Sequence, residues 1–369
     1  MQQPNKTLKG HKLVILFGLT GPPKTIQAAV FPEDWIAELT ELFSDLKIAN
    51  IKGVTWGTDD FQAKFPDEEW KDATIVVTGS ALPTPEMAPN LEYIQIQIAG
   101  ANHMLKNRLI TETNVKLCNA SGIHGTQIAE WVVATFLSFR HQLLQYNSLQ
   151  SQAKWHKLGN GAQDSVGQRI GILGYGAVGR QVARVFKALG MVIHACTLRP
   201  RETPESRKDD TYVTPGCGDP DGLLPSKWFS ASSKAGLHEF LLSGLDILVL
   251  AIPLTSKTQG IIGREELRLL SAKRTFISNV ARGEVIDTDA LIEAVEADLI
   301  CGAALDVTDP EPLPDGHRLW STKNVIITPH VSGDSEVYAR RVFEVLKHNL
   351  VRLSNGEELS NQVDKISGY

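Results

Sequence analysis

Residues 168–201, QRIGILGYGAVGRQVARVFKALGMVIHACTLRPR, decide how the chain is read. The run from Arg169 to Leu173 is mostly apolar and stops at Gly174, which predicts a buried strand. From Ala177 onward Val178, Val182, Val185, Phe186 and Leu189 share one helical stripe, and Gly190 ends it. Between strand and helix lies Gly174-x-Gly176-x-x-Gly179. In that setting the first glycine permits a tight turn, the second lets backbone approach a pyrophosphate, and the third lets helix pack on strand. Unpaired N–H groups at the helix start then face the anion. The stretch reads as a dinucleotide-binding unit, with the cofactor along Gly174, Tyr175, Gly176, Ala177, Val178 and Gly179.

The second strand, MVIHACT, should close on an acid that bonds the adenosine ribose hydroxyls. Thr197 stands there instead, no acid occurs from Gly190 to Arg201, and Arg199 and Arg201 follow. A carboxylate would repel a 2′-phosphate, whereas guanidinium groups form charge-assisted bonds to it. The expected cofactor is therefore NADP(H), read by Thr197, Arg199 and Arg201.

With 369 residues the chain has room for two domains. Its net charge of -5, with basic residues dispersed, predicts neither a nucleic-acid nor a membrane partner. Cys118, Cys196, Cys217 and Cys301 are far apart and lack ligand spacing, so neither disulfides nor a metal site is expected. A polar leader without an apolar core, together with that cysteine usage, predicts a cytoplasmic protein.

Before the glycine unit the pattern predicts strands at 12–17, 51–56, 73–78, 91–98 and 115–119, with a helix at 34–46. This α/β layer has no phosphate-binding glycines and reads as the substrate side. A long apolar helix at 126–141 is suited to cross into the second domain. Residues 203–236 are rich in Pro, Gly, Ser and Asp and read as a long loop, either functional or a bland insertion. From Leu245 the alternation resumes, and three strand ends carry Arg282, Asp306 and His330. Ligands bind at the carboxyl ends of strands in open α/β sheets. A last helix at 335–353 leads to NQVDKISGY, expected to return to the first domain.

Singly, Arg282, Glu311 and His330 have ordinary readings as a surface ion pair, a loop charge and a strand-end histidine. Together they suit hydride chemistry on an acid substrate. A forked guanidinium holds a carboxylate and polarises a carbonyl, and a histidine donates a proton near neutrality. A glutamate beside that histidine orients its ring and stabilises imidazolium.

GILGYGAVGR, DILVLAIPLTSKTQGII, FISNVARGEVIDTDALIEA, GAALDVTDPEPLP and VIITPHVSG, in that order, resemble the D-isomer-specific 2-hydroxyacid dehydrogenases, glyoxylate and hydroxypyruvate reductases among them. The resemblance runs from the IAGANH stretch to the end of the chain. It implies a Rossmann-type doubly wound parallel sheet (125–333) inserted in a flavodoxin-like α/β substrate domain (1–124 and 334–369). It also implies a homodimer joined through the dinucleotide-binding domains and a small 2-keto or 2-hydroxy acid as substrate. By the same resemblance Arg282 holds the substrate carboxylate and carbonyl, and Glu311 pairs with His330, the acid in reduction and base in oxidation. Asp306 lies near the nicotinamide carboxamide, and Ala99, Gly100 and Ala101 receive the substrate carboxylate. Thr126, Ile252, Pro253, Val280, Ala281 and Arg282 line the cofactor, while Ser332 either bonds within the site or caps.

Two departures touch the pocket: Gly100-Ala101-Asn102 replaces the family's glycine-x-aspartate, and LAIPLT replaces LHxPLT. The long loop resembles that of fungal members. The leading expectation is NADPH-dependent reduction of a 2-keto acid to the D-2-hydroxy acid. Two alternatives stay open, a formate dehydrogenase, whose branch has glutamine where Glu311 stands, and a dinucleotide-sensing corepressor of the same superfamily.

Overall fold

A computed structural model describes residues 4–16, 31–51, 67–79, 81–101, 104–159 and 161–365. The chain divides into two compact units, Met1–Ile123 with Glu336–Tyr369, and His124–Ser335. Strands of the first unit are β1 (Lys12–Ile15), β2 (Lys47–Asn50), β3 (Ile75–Thr78), β4 (Tyr93–Ile96) and β5 (Lys116–Cys118). They are all parallel and lie in the order β2-β1-β3-β4-β5, which is the flavodoxin-like winding. β1, β3 and β4 are buried along their whole length because a parallel sheet is covered on both faces.

The element before β2 differs from the sequence reading. The helix spans Glu33–Leu42, and the strand starts at Lys47, paired with Lys12, instead of at residue 51. Phe43 and Leu46 look helical by spacing, but both are buried in the turn between the two elements. The rest of the expected strand, residues 52–56, lies outside the described residues.

The last helix, Tyr338–Asn355, buries Val342, Phe343, Val345, Leu346 and Leu350 in the first unit. Phe343 stacks on Trp35 with ring centroids 5.0 Å apart. Asn349, fully buried, donates to Tyr93, Gln95 and the Ser360 carbonyl, and so ties helix, β4 and tail together. Past that helix the chain bridges Cys118 through Gln362, alongside β5.

The second unit carries β6 (Arg169–Leu173), β7 (Val192–Thr197), β8 (Lys227–Ser230), β9 (Ile247–Leu250), β10 (Phe276–Asn279), β11 (Gly302–Leu305) and β12 (Val325–Ile327). All are parallel, in the order β12-β11-β10-β9-β6-β7-β8, a doubly wound sheet that reverses between β6 and β9. The helix Gly125–Arg140, expected as a crossing element, lies in this unit. It buries Ile128, Ala129, Val132 and Phe136 in one cluster with Val182, Ala183 and Phe186 of the helix Ala177–Ala188.

Residues 203–236 are not a featureless loop. They hold a short helix, Pro204–Arg207, closed by a Thr203/Ser206 capping box, and then β8, which adds an edge strand beside β7 with Cys196 opposite Phe229. Ser233 caps the next helix, Lys234–Leu241. In KWFS only Phe229 is fully buried, so a four-residue edge strand leaves no periodicity to read.

Burial pushes the thiols of Cys118 and Cys196 up to about 12 and that of Cys301 up to about 11, which leaves them protonated at neutral pH. Among the described residues no helix is long and apolar enough to cross a membrane.

His194, inside β7, is also buried, and desolvation, with Arg169 and Lys227 nearby, pushes its imidazole down from 6.5 to about 4. The folded chain then binds fewer protons than the unfolded one between those two values. Stability is full above about 6.5, declines as pH falls through that window, and levels off below about 4. His194→Gln should flatten this part of the acid limb when the thermal midpoint is followed against pH. Parallel curves for variant and wild type would exclude His194 as its source.

Candidate active site

The turn between β6 and the helix Ala177–Ala188 is shaped by its glycines. Gly174 has φ +102, and a Cβ there would run into the Ala251 backbone. A Cβ on Gly179 would collide with the Gly174 carbonyl, so helix and turn meet without side chains between them. At Gly176 a Cβ would have nothing within 4 Å. The backbone is thus open where a pyrophosphate must approach, next to a helix start whose first N–H groups lack helical acceptors. The Tyr175 side chain serves the protein interior. Its ring is buried, and its hydroxyl donates to Asp219 at 2.8 Å.

At the end of β7, Thr197 donates its hydroxyl to the Arg199 carbonyl at 2.6 Å and closes the turn. Arg199 is exposed, and half-buried Arg201 donates one guanidinium nitrogen to the Ser206 carbonyl.

The other candidate residues follow the carboxyl ends of adjacent strands. Ile252 and Pro253 follow β9, Val280, Ala281 and Arg282 follow β10, Asp306 follows β11, and His330 follows β12. The ladder continues beyond the strands. Asp306 N–H donates to the Asn279 carbonyl at 3.1 Å, and His330 N–H to the Asp306 carbonyl at 2.8 Å. Three successive strand ends are therefore held side by side.

Two buried side chains fix the exposed ones. Asn279, 1 % exposed, donates to the Arg282 carbonyl and accepts from Ala281 N–H, which shapes the turn that presents Arg282. Asp306, 2 % exposed, accepts from the Thr328 hydroxyl at 2.5 Å and from the N–H groups of Val331 and Ser332, each at 2.9 Å. These bonds enclose His330, whose φ of +56 lies in the left-handed region. That conformation costs a non-glycine residue about 1–3 kcal/mol and persists only where its surroundings enforce it. The His330 ring then meets Glu311, with Nδ1 2.7 Å from Oε1. Just before Glu311 in the chain, the Thr308 backbone packs on that of Gly283, where a Cβ would collide with the carbonyl oxygen.

Thr126 donates to the Gln127 amide oxygen, and Gln127 donates to the Gly333 carbonyl, so the helix start is joined to the segment after His330. Ala99, Gly100 and Ala101 follow β4 in the other unit, with Ala99 exposed and Ala101 buried. Asn102 lies outside the described residues.

Residues 133–216 and 229–332 match the family described as "D-isomer specific 2-hydroxyacid dehydrogenase, NAD binding domain". The chain belongs to the D-isomer specific 2-hydroxyacid dehydrogenases. Curated relatives include an uncharacterised protein of Corynebacterium melassecola, 30 % identical over 308 residues, which span 82 % of this chain and 92 % of that one. A glyoxylate reductase of Thermofilum pendens is 26 % identical over 341 residues, or 91 % and 92 % of the two chains. Among solved structures, an NADPH-dependent glyoxylate/hydroxypyruvate reductase of Sinorhizobium meliloti, in complex with NADP and sulfate, superposes with a TM-score of 0.67. It is 25 % identical, and the match covers 97 % of this chain and 100 % of that one. This dehydrogenase is an oxidoreductase whose NAD-binding unit falls, along the chain, between the two segments that form the other α/β unit.

Sequence reasoning missed Asn279 and Thr328. Both sit in or beside strands that read as ordinary core; Asn279 is marked by a buried amide with paired bonds to backbone, and half-buried Thr328 by its bond to the Asp306 carboxylate. Asp306→Asn presents one acceptor oxygen where two are used. It should lower kcat about tenfold or more, in line with 1.5–3 kcal/mol for a bond to a charged group. The NADPH dissociation constant should stay within about twofold, a tenfold change being about 1.4 kcal/mol. Weakened cofactor binding at unchanged kcat would assign Asp306 to the cofactor instead.

Proposed function

We propose that this dehydrogenase is an NADPH-dependent reductase that converts a 2-keto acid into the D-2-hydroxy acid. The observation that carries the reading is the His330–Glu311 contact of 2.7 Å at the strand ends that also present Arg282. The glycine cradle fits a dinucleotide, since open backbone at Gly176 lies between two glycines that admit no side chain. Bound NADPH supplies the hydride that adds to the keto carbon.

The chain's own groups do the rest. Glu311 receives Nδ1–H of His330, which leaves Nε2 to give its proton to the carbonyl oxygen in reduction and to take it back in oxidation. Arg282 holds the substrate carboxylate and carbonyl with paired donors, as an ammonium cannot. Its guanidinium donates to the neighbouring Ala281 carbonyl at 2.6 Å, which fixes its direction. Arg199 and Arg201 face the 2′-phosphate of NADPH in place of the ribose acid. The Thermofilum and Sinorhizobium relatives support glyoxylate and hydroxypyruvate as the first substrates to try.

NADPH consumption with glyoxylate, hydroxypyruvate and aromatic 2-keto acids tests the reading, together with the configuration of the product. Arg282→Lys should cost about a hundredfold or more in kcat/KM, a loss of about 2.7 kcal/mol. The Arg199→Ala/Arg201→Ala protein should lose NADPH affinity much more than NADH affinity. An L product, or a wild type that prefers NADH, would refute the proposal.

The active form we propose is a homodimer joined through the second unit. The helix Leu143–Ser151 has no buried residue, and its Leu143 and Leu144, with Trp155 four residues past its end, are exposed. A nine-residue helix is not stable in water by itself and needs a packing partner. From residue 141 to 163 the segment has Lys154 and Lys157 and no acid, in a chain of net charge -5. A basic, apolar arm on an acidic chain suits a second copy. Light scattering should give twice the chain mass for wild type and a single chain for Leu143→Asp/Trp155→Asp. A monomeric wild type at micromolar concentration would rule the dimer out.

A further inference from the structure

The family match omits residues 217–228, a stretch joined by polar bonds to the residues around the glycine turn. Their hub is Arg180, one residue past Gly179 and 4 % exposed. The guanidinium of Arg180 lies 3.1 Å from Asp209 as an ion pair and 5.0 Å from the centre of the Tyr175 ring. It donates to the Asp219 carbonyl and, at 2.7 Å, to the Arg207 carbonyl. Asp219 in turn accepts from Tyr175 and from the N–H groups of Leu223 and Leu224. Gln181 accepts from Gly218 N–H at 2.6 Å. The insertion is thus fastened to the dinucleotide turn by buried, paired groups, a construction that does not suit a free lid.

A second set of bonds runs from the insertion to the loop after β7. Arg207 donates from Nε to the Arg201 carbonyl at 3.0 Å and from Nη2 to the Glu202 carbonyl at 3.1 Å. Its guanidinium also lies over the Trp228 ring, at 5.7 Å. Gly222 lies so close to Arg207 that a Cβ would meet the Arg207 carbonyl. The backbone that carries Arg201 is therefore held from behind by a fork whose own carbonyl is held by Arg180.

We propose that residues 207–228 are a brace for the loop that reads the adenosine 2′-phosphate, with Arg207 and Arg180 as the positioning residues that set NADPH selectivity. The inference rests on the assignment of Arg199 and Arg201 to that phosphate. A loop held in its binding conformation loses less freedom on binding, so the brace contributes to affinity for the cofactor whose phosphate the loop grips. NADH lacks that phosphate and gains little from the same order. Arg207 spends Nε and Nη2, and Arg180 spends Nη1 and Nη2, on backbone carbonyls, so both act on the loop through its backbone.

The test compares dissociation constants of NADPH and NADH, by protein fluorescence, for the full chain with Arg207→Met, for Arg199→Ala/Arg201→Ala, and for wild type. Methionine keeps a stem beside Trp228 and removes both donors. Arg207→Met should weaken NADPH about tenfold, equivalent to about 1.4 kcal/mol, and NADH less than about twofold. Arg207→Lys, which retains charge but not the fork, should show the same selective loss and serves if the methionine variant folds poorly. Equal weakening of both cofactors, or of neither, in a folded Arg207 variant overturns the brace. If the alanine pair loses selectivity while the Arg207 variants keep it, only the brace fails; if the alanine pair keeps it, the phosphate assignment fails and the brace with it.

Discussion

The candidate site depends on the parallel register of β10, β11 and β12 being carried past the ends of the strands. Two backbone bonds, Asp306 N–H to Asn279 and His330 N–H to Asp306, extend the ladder into what would otherwise be three independent loops. Arg282, Asp306 and the histidine therefore share one edge of a rigid sheet. Flexible loops would have to order all three groups each time substrate bound, at a cost of about 0.5–1.5 kcal/mol for each mobile side chain.

A single buried carboxylate completes that arrangement. The chain hides Asp306 and surrounds it with donors, so that its charge is balanced by three hydrogen bonds. Desolvating a carboxylate is unfavourable unless it is bonded in this way. The same bonds close around a histidine in a backbone conformation it would not adopt alone. The site is rigid in its buried parts and exposed at Arg282, Glu311 and His330, where chemistry requires access.

The opposite flank of the sheet follows the same physical rule with the charges reversed. Arg180 is a buried cation, and burial lowers its guanidinium from the usual range while Asp209 counteracts the shift. The neighbouring Tyr175 hydroxyl is pushed well above the usual phenol range by burial and its bond to Asp219, and so remains a donor. An insertion tied down by such groups is part of the nucleotide unit's framework.

By itself the sequence determined the doubly wound nucleotide unit, because glycine spacing, apolar strand and helical stripe are all local to residues 168–201. Arg282, Glu311 and His330 could be named as a group because they stand in compact motifs at strand ends. The sequence also misplaced the start of β2, where buried turn residues imitate a helix, and left β8 unseen, where an edge strand shows no alternation. Only the tertiary structure decided that the Tyr175 hydroxyl pairs with Asp219 and that Asp306 encloses His330. It alone revealed Asn279, Thr328 and Arg207 as supports. Those roles depend on which polar group lies opposite which after folding. Partners such as Asp306 and Thr328 are 22 residues apart in the chain, or 39 for Arg180 and Asp219, and no local pattern specifies such pairings.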